Sequence, residues 1–203
     1  MSWWDSAYRR GNVPWDPGIH DGHLPGVLAR HSIEPCSVID LGCGTGKSAV
    51  WLAEKGFSVT GIDFSPPAIE QALTLARRRG VDAQFLCGSF PEDFQPHSRH
   101  PLRRHEFGFA IERAFVQHLG HGQALGAAVR RIRDLLVPDG LFYSLMLASE
   151  GAGRWGITRW SEQEIRGAFE PSFQIIEMRL DVFTPGEPGS EPAWLTVMRP
   201  RAG

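Results

Sequence analysis

The residues best suited to chemistry in this chain lie in one stretch, Asp40-Leu-Gly-Cys-Gly-Thr-Gly-Lys-Ser48. An acid is followed there by glycines at alternate positions, then by a lysine and a serine. Glycines let a ligand approach the backbone, and a helix starting just after them turns free N–H groups toward that ligand. Nucleotide-like molecules use such loops, and spacing separates the cases. A phosphate-cradling loop, G-x-x-x-x-G-K-S/T, matches at Gly46, Lys47 and Ser48, but its first glycine falls on Leu41 and no strand ends in a convincing magnesium-binding acid. A dinucleotide fingerprint, G-x-G-x-x-G, also fails. Gly42, Gly44 and Gly46 read G-x-G-x-G, one residue short, which leaves less room for a pyrophosphate. A second acid, Asp63, stands 23 residues after Asp40 at the tip of the run FSVTGID. A carboxylate only accepts, and it can take two hydroxyl donors.

Other reactive side chains are dispersed. Glu112 and Arg113 end an apolar run, and His118 follows. His118 could take a proton, or be a helix-end or surface histidine. Eight histidines raise the question of a metal. His97, His100 and His105 cluster with Arg99, Arg103 and Arg104, and His118 and His121 are three apart, but no Cys or acid ligand stands near them in order, so no metal site is expected. Segment 96–105 reads as a polar surface loop that could also receive an anionic substrate. Cys43, inside the glycine loop, reads as a small packing residue. With Cys36 and Cys87 it makes three widely spaced cysteines, which form neither a disulfide framework nor a CxxC site.

The elements that must hold these residues alternate. Ser37 to Leu41 is a short apolar run ending in glycines, the pattern of a buried strand. A helix from Gly46 to Glu54 carries Ala49, Val50, Leu52 and Ala53 on its apolar side. Phe57 to Ile62 is a second strand. Ser65 stands as an N-cap with Pro66 in the first turn, Ala68, Ile69, Ala72, Leu73 and Ala76 recur at helical spacing, and Gly80 is the stop. Strands follow at Ala83 to Cys87 and Phe107 to Glu112. A helix from Gln123 to Leu136 is ended by Pro138 and Gly140, and Leu141 to Leu147 is a fifth strand. Ser161 and Glu164 form a capping box. Phe173 to Leu180 and Ala193 to Met198 are joined by a Pro- and Gly-rich segment with no room for a helix, so they pair antiparallel. This order implies an α/β fold, a doubly wound, mainly parallel seven-stranded sheet with an antiparallel last strand.

The 203 residues suit a single domain with a real core, 1–203, in which 1–30 form an N-terminal lid and 31–203 a Rossmann-like core. Hydrophobic residues make up 42% and charged residues 22%, ordinary globular values. A formal charge of −2 leaves no nucleic-acid footprint, and nothing argues for an anionic membrane surface as partner. The first residues lack a basic and then apolar leader, and no run reaches about 18 apolar residues, so neither a signal peptide nor a membrane span is expected. Together with the cysteine pattern, a cytoplasmic location follows.

Asp-x-Gly-x-Gly-x-Gly at the end of strand one closely resembles the signature of class I S-adenosylmethionine-dependent methyltransferases, and the resemblance covers about residues 37 to 199. It implies that Asp40, Gly42, Cys43, Gly44 and Gly46 lie against the methionine part of S-adenosylmethionine. Asp63, with Phe64 beside it, would take both ribose hydroxyls. Gly88, Ser89 and Phe90 would touch the adenine; many relatives carry Asp where this chain has Ser89, which leaves backbone and hydroxyl for that contact. Glu112 at the strand-four tip faces the cofactor in this fold and, with Arg113, could bind substrate or the amino-acid end of the cofactor. The implied reaction is an in-line displacement that releases S-adenosylhomocysteine, with positioning supplying much of the rate.

The N-terminal stretch Trp4-Asp-Ser-Ala-Tyr8-Arg-Arg-Gly-Asn-Val-Pro-Trp15-Asp16 resembles the segment that closes over the cofactor in the thiopurine and thiol S-methyltransferase group, which includes halide/thiol and tellurite-type members. Trp4 and Trp15 fall on its two tryptophans and Tyr8 on the middle aromatic. Ile111-Glu-Arg-Ala-Phe-Val-Gln-His-Leu119 and Ser89 resemble the same group. Aromatic faces attract a sulfonium by about 0.5–2 kcal/mol and exclude water; the alternative for Trp3, Trp4 and Trp15 is that they simply cover the sheet. Gly151, Gly153 and Gly156, with Arg154, Trp155 and Trp160, read as a second lid after strand five. The resemblance implies transfer of a methyl group to a small-molecule thiol, with Glu112, Arg113 and His118 as the residues nearest the chemistry. An O- or N-methyltransferase acting on a small metabolite is the alternative.

Overall fold

A computed structural model describes residues 2–13, 15–16, 18–94, 101–150 and 158–201. They form two compact units, Met1–Pro101 and Leu102–Gly203.

The first unit opens with two helices in the segment read only as a lid. Helix α1 (Trp3–Arg10) begins because Ser2 and Asp5 form a capping box, and it ends at Gly11, which takes the left-handed conformation at φ 66°. Hydrophobic periodicity is thin over these eight residues, so the pattern that reveals longer helices does not show this one. Helix α2 (Leu24–Arg30) follows, with Pro25 in its first turn and Leu24 and Val27 buried.

Strand β1 (Ser37–Leu41), helix α3 (Lys47–Glu54), strand β2 (Ser58–Asp63), helix α4 (Pro66–Arg79) and strand β3 (Gln84–Cys87) then alternate as the sequence implies. The pairs β1–β2 and β2–β3 are parallel, with Asp40 opposite Gly61 and Asp63 opposite Cys87. Both acids therefore sit at strand ends, where the chain turns into the following loop. Val38, Ile39, Leu41, Leu52, Ile62, Ala68 and Ala72 are almost wholly buried between strands and helices. Ser65 is the N-cap of α4, but its hydroxyl does not cap the helix; it donates to Asp5 Oδ1 at 2.8 Å. Gly80 closes α4 in the left-handed conformation.

The second unit contains β4 (Phe107–Arg113), α5 (Gln123–Leu135), β5 (Leu136–Leu147), α6 (Glu162–Phe169), β6 (Phe173–Val182) and β7 (Pro192–Pro200). Strand β5 starts at Leu136 rather than Leu141. Leu136 pairs with Phe107 and the register then jumps to Phe109 opposite Leu141, so the Pro138-Asp139-Gly140 turn is an irregularity inside the strand. The capping box of Ser161 and Glu164 is present at α6. Strands β6 and β7 pair antiparallel, and β7 also pairs antiparallel with β5. The seven strands run in the order β3-β2-β1-β4-β5-β7-β6, so the last strand in sequence lies inside the sheet and β6 takes its edge. Among the described residues no helix is long and apolar enough to cross a membrane.

Candidate functional site

The glycine loop in the first unit is shaped by backbone bonds to the neighbouring strand. The N–H groups of Gly42 and Cys43 both donate to the Ile62 carbonyl, at 2.9 and 3.0 Å, and Gly46 N–H donates to the Cys43 carbonyl at 2.9 Å. Gly42, Gly44 and Gly46 all have positive φ, at 70°, 54° and 78°, which side-chain-bearing residues adopt with strain. Space also dictates glycine at position 46. A Cβ there would lie 2.8 Å from Ala72 Cβ and 3.1 Å from the Phe85 ring, so this glycine lets the loop pack against α4 and β3. At Gly44 the close neighbour is the Tyr8 hydroxyl, 3.0 Å from where a Cβ would be. Cys43 Sγ would lie 3.0 Å from a Cβ on Gly61, and burial pushes its thiol pKa well up. The packing role read for Cys43 agrees with both.

Asp63 is 8% exposed. Its Oδ2 accepts from Gly44 N–H at 3.0 Å and its Oδ1 from Ser65 N–H at 2.9 Å, so the carboxylate joins the glycine loop to the start of α4. Burial raises its pKa and the nearby Asp5 carboxylate adds to the rise, against the lowering by the backbone N–H groups. Asp40, 5% exposed, is the next-to-last residue of β1, just before the loop. Phe64 is exposed beside Asp63, whereas Phe90 is buried and Ser89 is exposed, with its N–H donating to Asp93 Oδ2 at 2.8 Å.

The N-terminal segment is fastened across this loop. Tyr8 is buried, its carbonyl accepts from Gln71 Nε2 at 3.0 Å, and its hydroxyl accepts from Trp15 Nε1 at 3.3 Å. Burial first, and the Asp63 carboxylate second, hold that phenol protonated far above its ordinary range. Trp3, Trp4 and Trp15 pack on one another with ring centroids 4.8–5.4 Å apart, and Trp3 remains 60% exposed. Helix α1 lies against α4. Asp16 Oδ2 accepts from Thr45 Oγ1 at 2.6 Å, while its Oδ1 accepts from Lys47 Nζ at 2.7 Å and Gly18 N–H at 2.9 Å. Burial alone would raise the Asp16 pKa, but these three bonds outweigh it and hold the carboxyl below its usual value. Farther along, Asp21 N–H donates to Ser48 Oγ at 3.1 Å. Sequence reasoning placed Trp4, Tyr8 and Trp15 here but passed over Asp5, Asp16, Thr45, Lys47 and Gln71. Asp16 stood inside the quoted aromatic motif; its partners, 29 and 31 residues away, left no local trace.

Glu112, Arg113 and His118 belong to the second unit, around the end of β4. Glu112 is fully buried. Its Oε1 accepts from the Ser144 hydroxyl, and its Oε2 from the N–H groups of Phe115 and Val116 at 2.8 and 3.2 Å. The side chain thus braces the turn that leads into the short 3₁₀ segment Val116–His118. Arg113 stacks on Phe183, its Cζ 3.8 Å from the ring centroid, and donates to Thr184 Oγ1 at 3.0 Å. His118 is exposed at the end of the 3₁₀ segment. Among the described residues no group of three or more His, Cys, Asp or Glu could hold a metal. His97, His100, Arg99, Gly151, Gly153, Arg154, Trp155 and Gly156 lie outside the described residues. Trp160 is fully buried, against the His121 ring.

Residues 38–140, half of the chain, match the family model for a methyltransferase domain. The chain is 26% identical over 212 residues to a ubiquinone biosynthesis O-methyltransferase of Azorhizobium caulinodans, covering 90% of this chain and 80% of that protein. Higher identities run over shorter stretches: the chain spans between 17% and 42% of the length of the first four curated relatives it matches. A solved structure described for the conversion of a disulfide bond into a thioacetal group during echinomycin biosynthesis superposes with a TM-score of 0.78 at 23% identity, over 97% of this chain and 90% of that one. The Burkholderia thailandensis 1,6-didemethyltoxoflavin N1-methyltransferase, solved with bound 1,6-didemethyltoxoflavin and S-adenosylhomocysteine, gives a TM-score of 0.77 at 22% identity, over 97% of this chain and 85% of that one. At such identities the structures establish the fold, whereas the family model falls on the glycine loop, both acids and the strands that carry them. The chain therefore belongs to the methyltransferase domain family and has the fold of the class I S-adenosylmethionine-dependent enzymes.

Proposed function

We propose that this chain, acting as one domain, is an S-adenosylmethionine-dependent methyltransferase that moves a methyl group to the thiol of a small molecule, in detoxification or the tailoring of a natural product. The donor set suits the cofactor. Asp63 Oδ2 accepts from Gly44 N–H and Oδ1 from Ser65 N–H, and a carboxylate has about four lone-pair sites, so acceptor capacity remains for the ribose. Gly42, Gly44 and Gly46 bring bare backbone to the methionine end, and Trp4, Tyr8 and Trp15 supply aromatic faces and keep water out. The cofactor, when bound, supplies a sulfonium-activated methyl carbon open to in-line attack.

The observation that carries the choice of acceptor is the commitment of Glu112. Its Oε2 already accepts the two N–H groups of the turn after β4 and its Oε1 the Ser144 hydroxyl of β5, which makes it a poor proton acceptor. A hydroxyl or a protonated amine needs such an acceptor. A thiol, with a pKa of about 8.5, presents enough thiolate at neutral pH to react without one. The structural neighbour from disulfide-to-thioacetal conversion supports a sulfur acceptor, and the ring contact between Arg113 and Phe183 leaves Arg113 a positioning role. The second reading, an O- or N-methyltransferase on a small metabolite, draws on the O-methyltransferase relative and on His118, exposed where it could take a proton.

The test is incubation with methyl-labelled S-adenosylmethionine and a panel of thiols, phenols and amines, with label counted in the organic extract. Label on thiols alone is expected. Label on phenols or amines without thiols overturns the thiol reading and directs mutagenesis to His118.

A further inference from the structure

Helix α3 begins in an unfavourable way. A helix N-terminus carries a partial positive charge that favours anions. Yet α3 has no acidic residue in its first turn, its N-cap Gly46 has no side chain to offer, and its first residue is the cation Lys47. The anion comes from far along the chain. Asp16, with a side chain only 11% exposed, lies 2.7 Å from Lys47 Nζ, and its other oxygen takes the Thr45 hydroxyl at 2.6 Å. Thr45 and Lys47 flank Gly46, the last glycine of the loop. One carboxylate thus both closes the N-terminal segment over the loop and cancels the charge that the loop would otherwise present.

That cancellation has a chemical consequence, which rests on the cofactor reading above. S-adenosylmethionine differs from its product by one positive charge, on sulfur, at the methionine end that the glycine loop is expected to face. We propose that Asp16 is a positioning residue that neutralises Lys47 and so lets the loop accept a sulfonium; it sets the discrimination between cationic cofactor and neutral product. A residue that only fastened the N-terminal segment would weaken both ligands alike.

The experiment is direct titration of S-adenosylmethionine and S-adenosylhomocysteine into wild type, Asp16→Asn, Lys47→Gln and the double variant, with melting curves to confirm folding. Asp16→Asn is expected to raise the Kd of S-adenosylmethionine about tenfold more than that of S-adenosylhomocysteine, since the Lys47 cation beside the loop is left unbalanced and disfavours the cationic ligand. Lys47→Gln leaves an unbalanced anion and shifts the ratio the other way. It reads the same charge effect if Asp16→Asn fails to fold. The double variant returns the ratio to that of wild type. Equal weakening of both ligands in the single variants, or no change in the ratio, overturns the proposal. Wild-type protein that binds neither ligand sinks the cofactor reading, and the proposal with it.

Discussion

Asp63 shows how a residue can be held charged against the interest of the fold. Its folded pKa is raised above the ordinary 3.8, chiefly by burial. A group of this kind contributes stability in full below its unfolded pKa and loses that contribution as pH rises through its folded value. The carboxylate at neutral pH therefore costs the fold something, a cost commonly met where a charge serves binding. The difference in unfolding free energy between wild type and Asp63→Asn should move in favour of wild type as pH falls from neutral toward 3.8. Chemical denaturation across that range measures it, and a flat difference speaks against the raised pKa. Glu112 makes the complementary point. Its type and place at a strand tip suggested contact with cofactor or substrate, while the folded chain shows it spending its oxygens on Ser144, Phe115 and Val116.

Elements are decided by local chemistry only where a side chain has no better partner. Ser161 and Ser65 carry the same N-cap signal. Ser161 closes a capping box with Glu164, whose own pKa is lowered first by the Ser161 hydroxyl. Ser65 instead gives its hydroxyl to Asp5, 60 residues away. Ser161→Ala should accordingly cost about 1 kcal/mol in unfolding free energy, within the usual range for a lost N-cap. A change well under half that, read from urea denaturation, would mean α6 is held by packing alone. Helix α1 escaped notice for a related reason. Its capping box is legible at Ser2 and Asp5, but eight residues hold too few apolar repeats for a face to stand out.

At the scale of the whole molecule, long-range hydrogen bonds hold the glycine loop in place. Asp63 and Asp16 reach the loop at Gly44, Thr45 and Lys47 through hydrogen bonds that span 19 to 31 residues. Binding that favours the folded state must raise stability by mass action, by about 2.7 kcal/mol when the ligand is at roughly one hundred times its Kd. S-adenosylmethionine and S-adenosylhomocysteine should each raise the melting temperature in a dose-dependent way, whereas ATP and NAD should leave it unchanged, because the loop lacks the spacing for phosphates. Stabilisation by ATP or NAD but by neither S-adenosyl ligand would overturn the assignment of the loop.

The amino-acid sequence alone determined the alternation of strands and helices, the glycine loop after β1, the acid at the tip of β2 and the antiparallel pairing of β6 with β7. Each of these is written in short-range patterns: apolar runs of four to seven residues, glycines where φ must be positive, and a turn too short for a helix. Only the tertiary structure decided that β7 inserts between β5 and β6, that Ser65 serves Asp5 rather than its own helix, that Glu112 braces a turn, and that Asp16 reaches Thr45 and Lys47. A hydrogen bond depends on the types of its two partners and on their distance in space. When the partners lie 29 to 60 residues apart, sequence shows the types but not the distance.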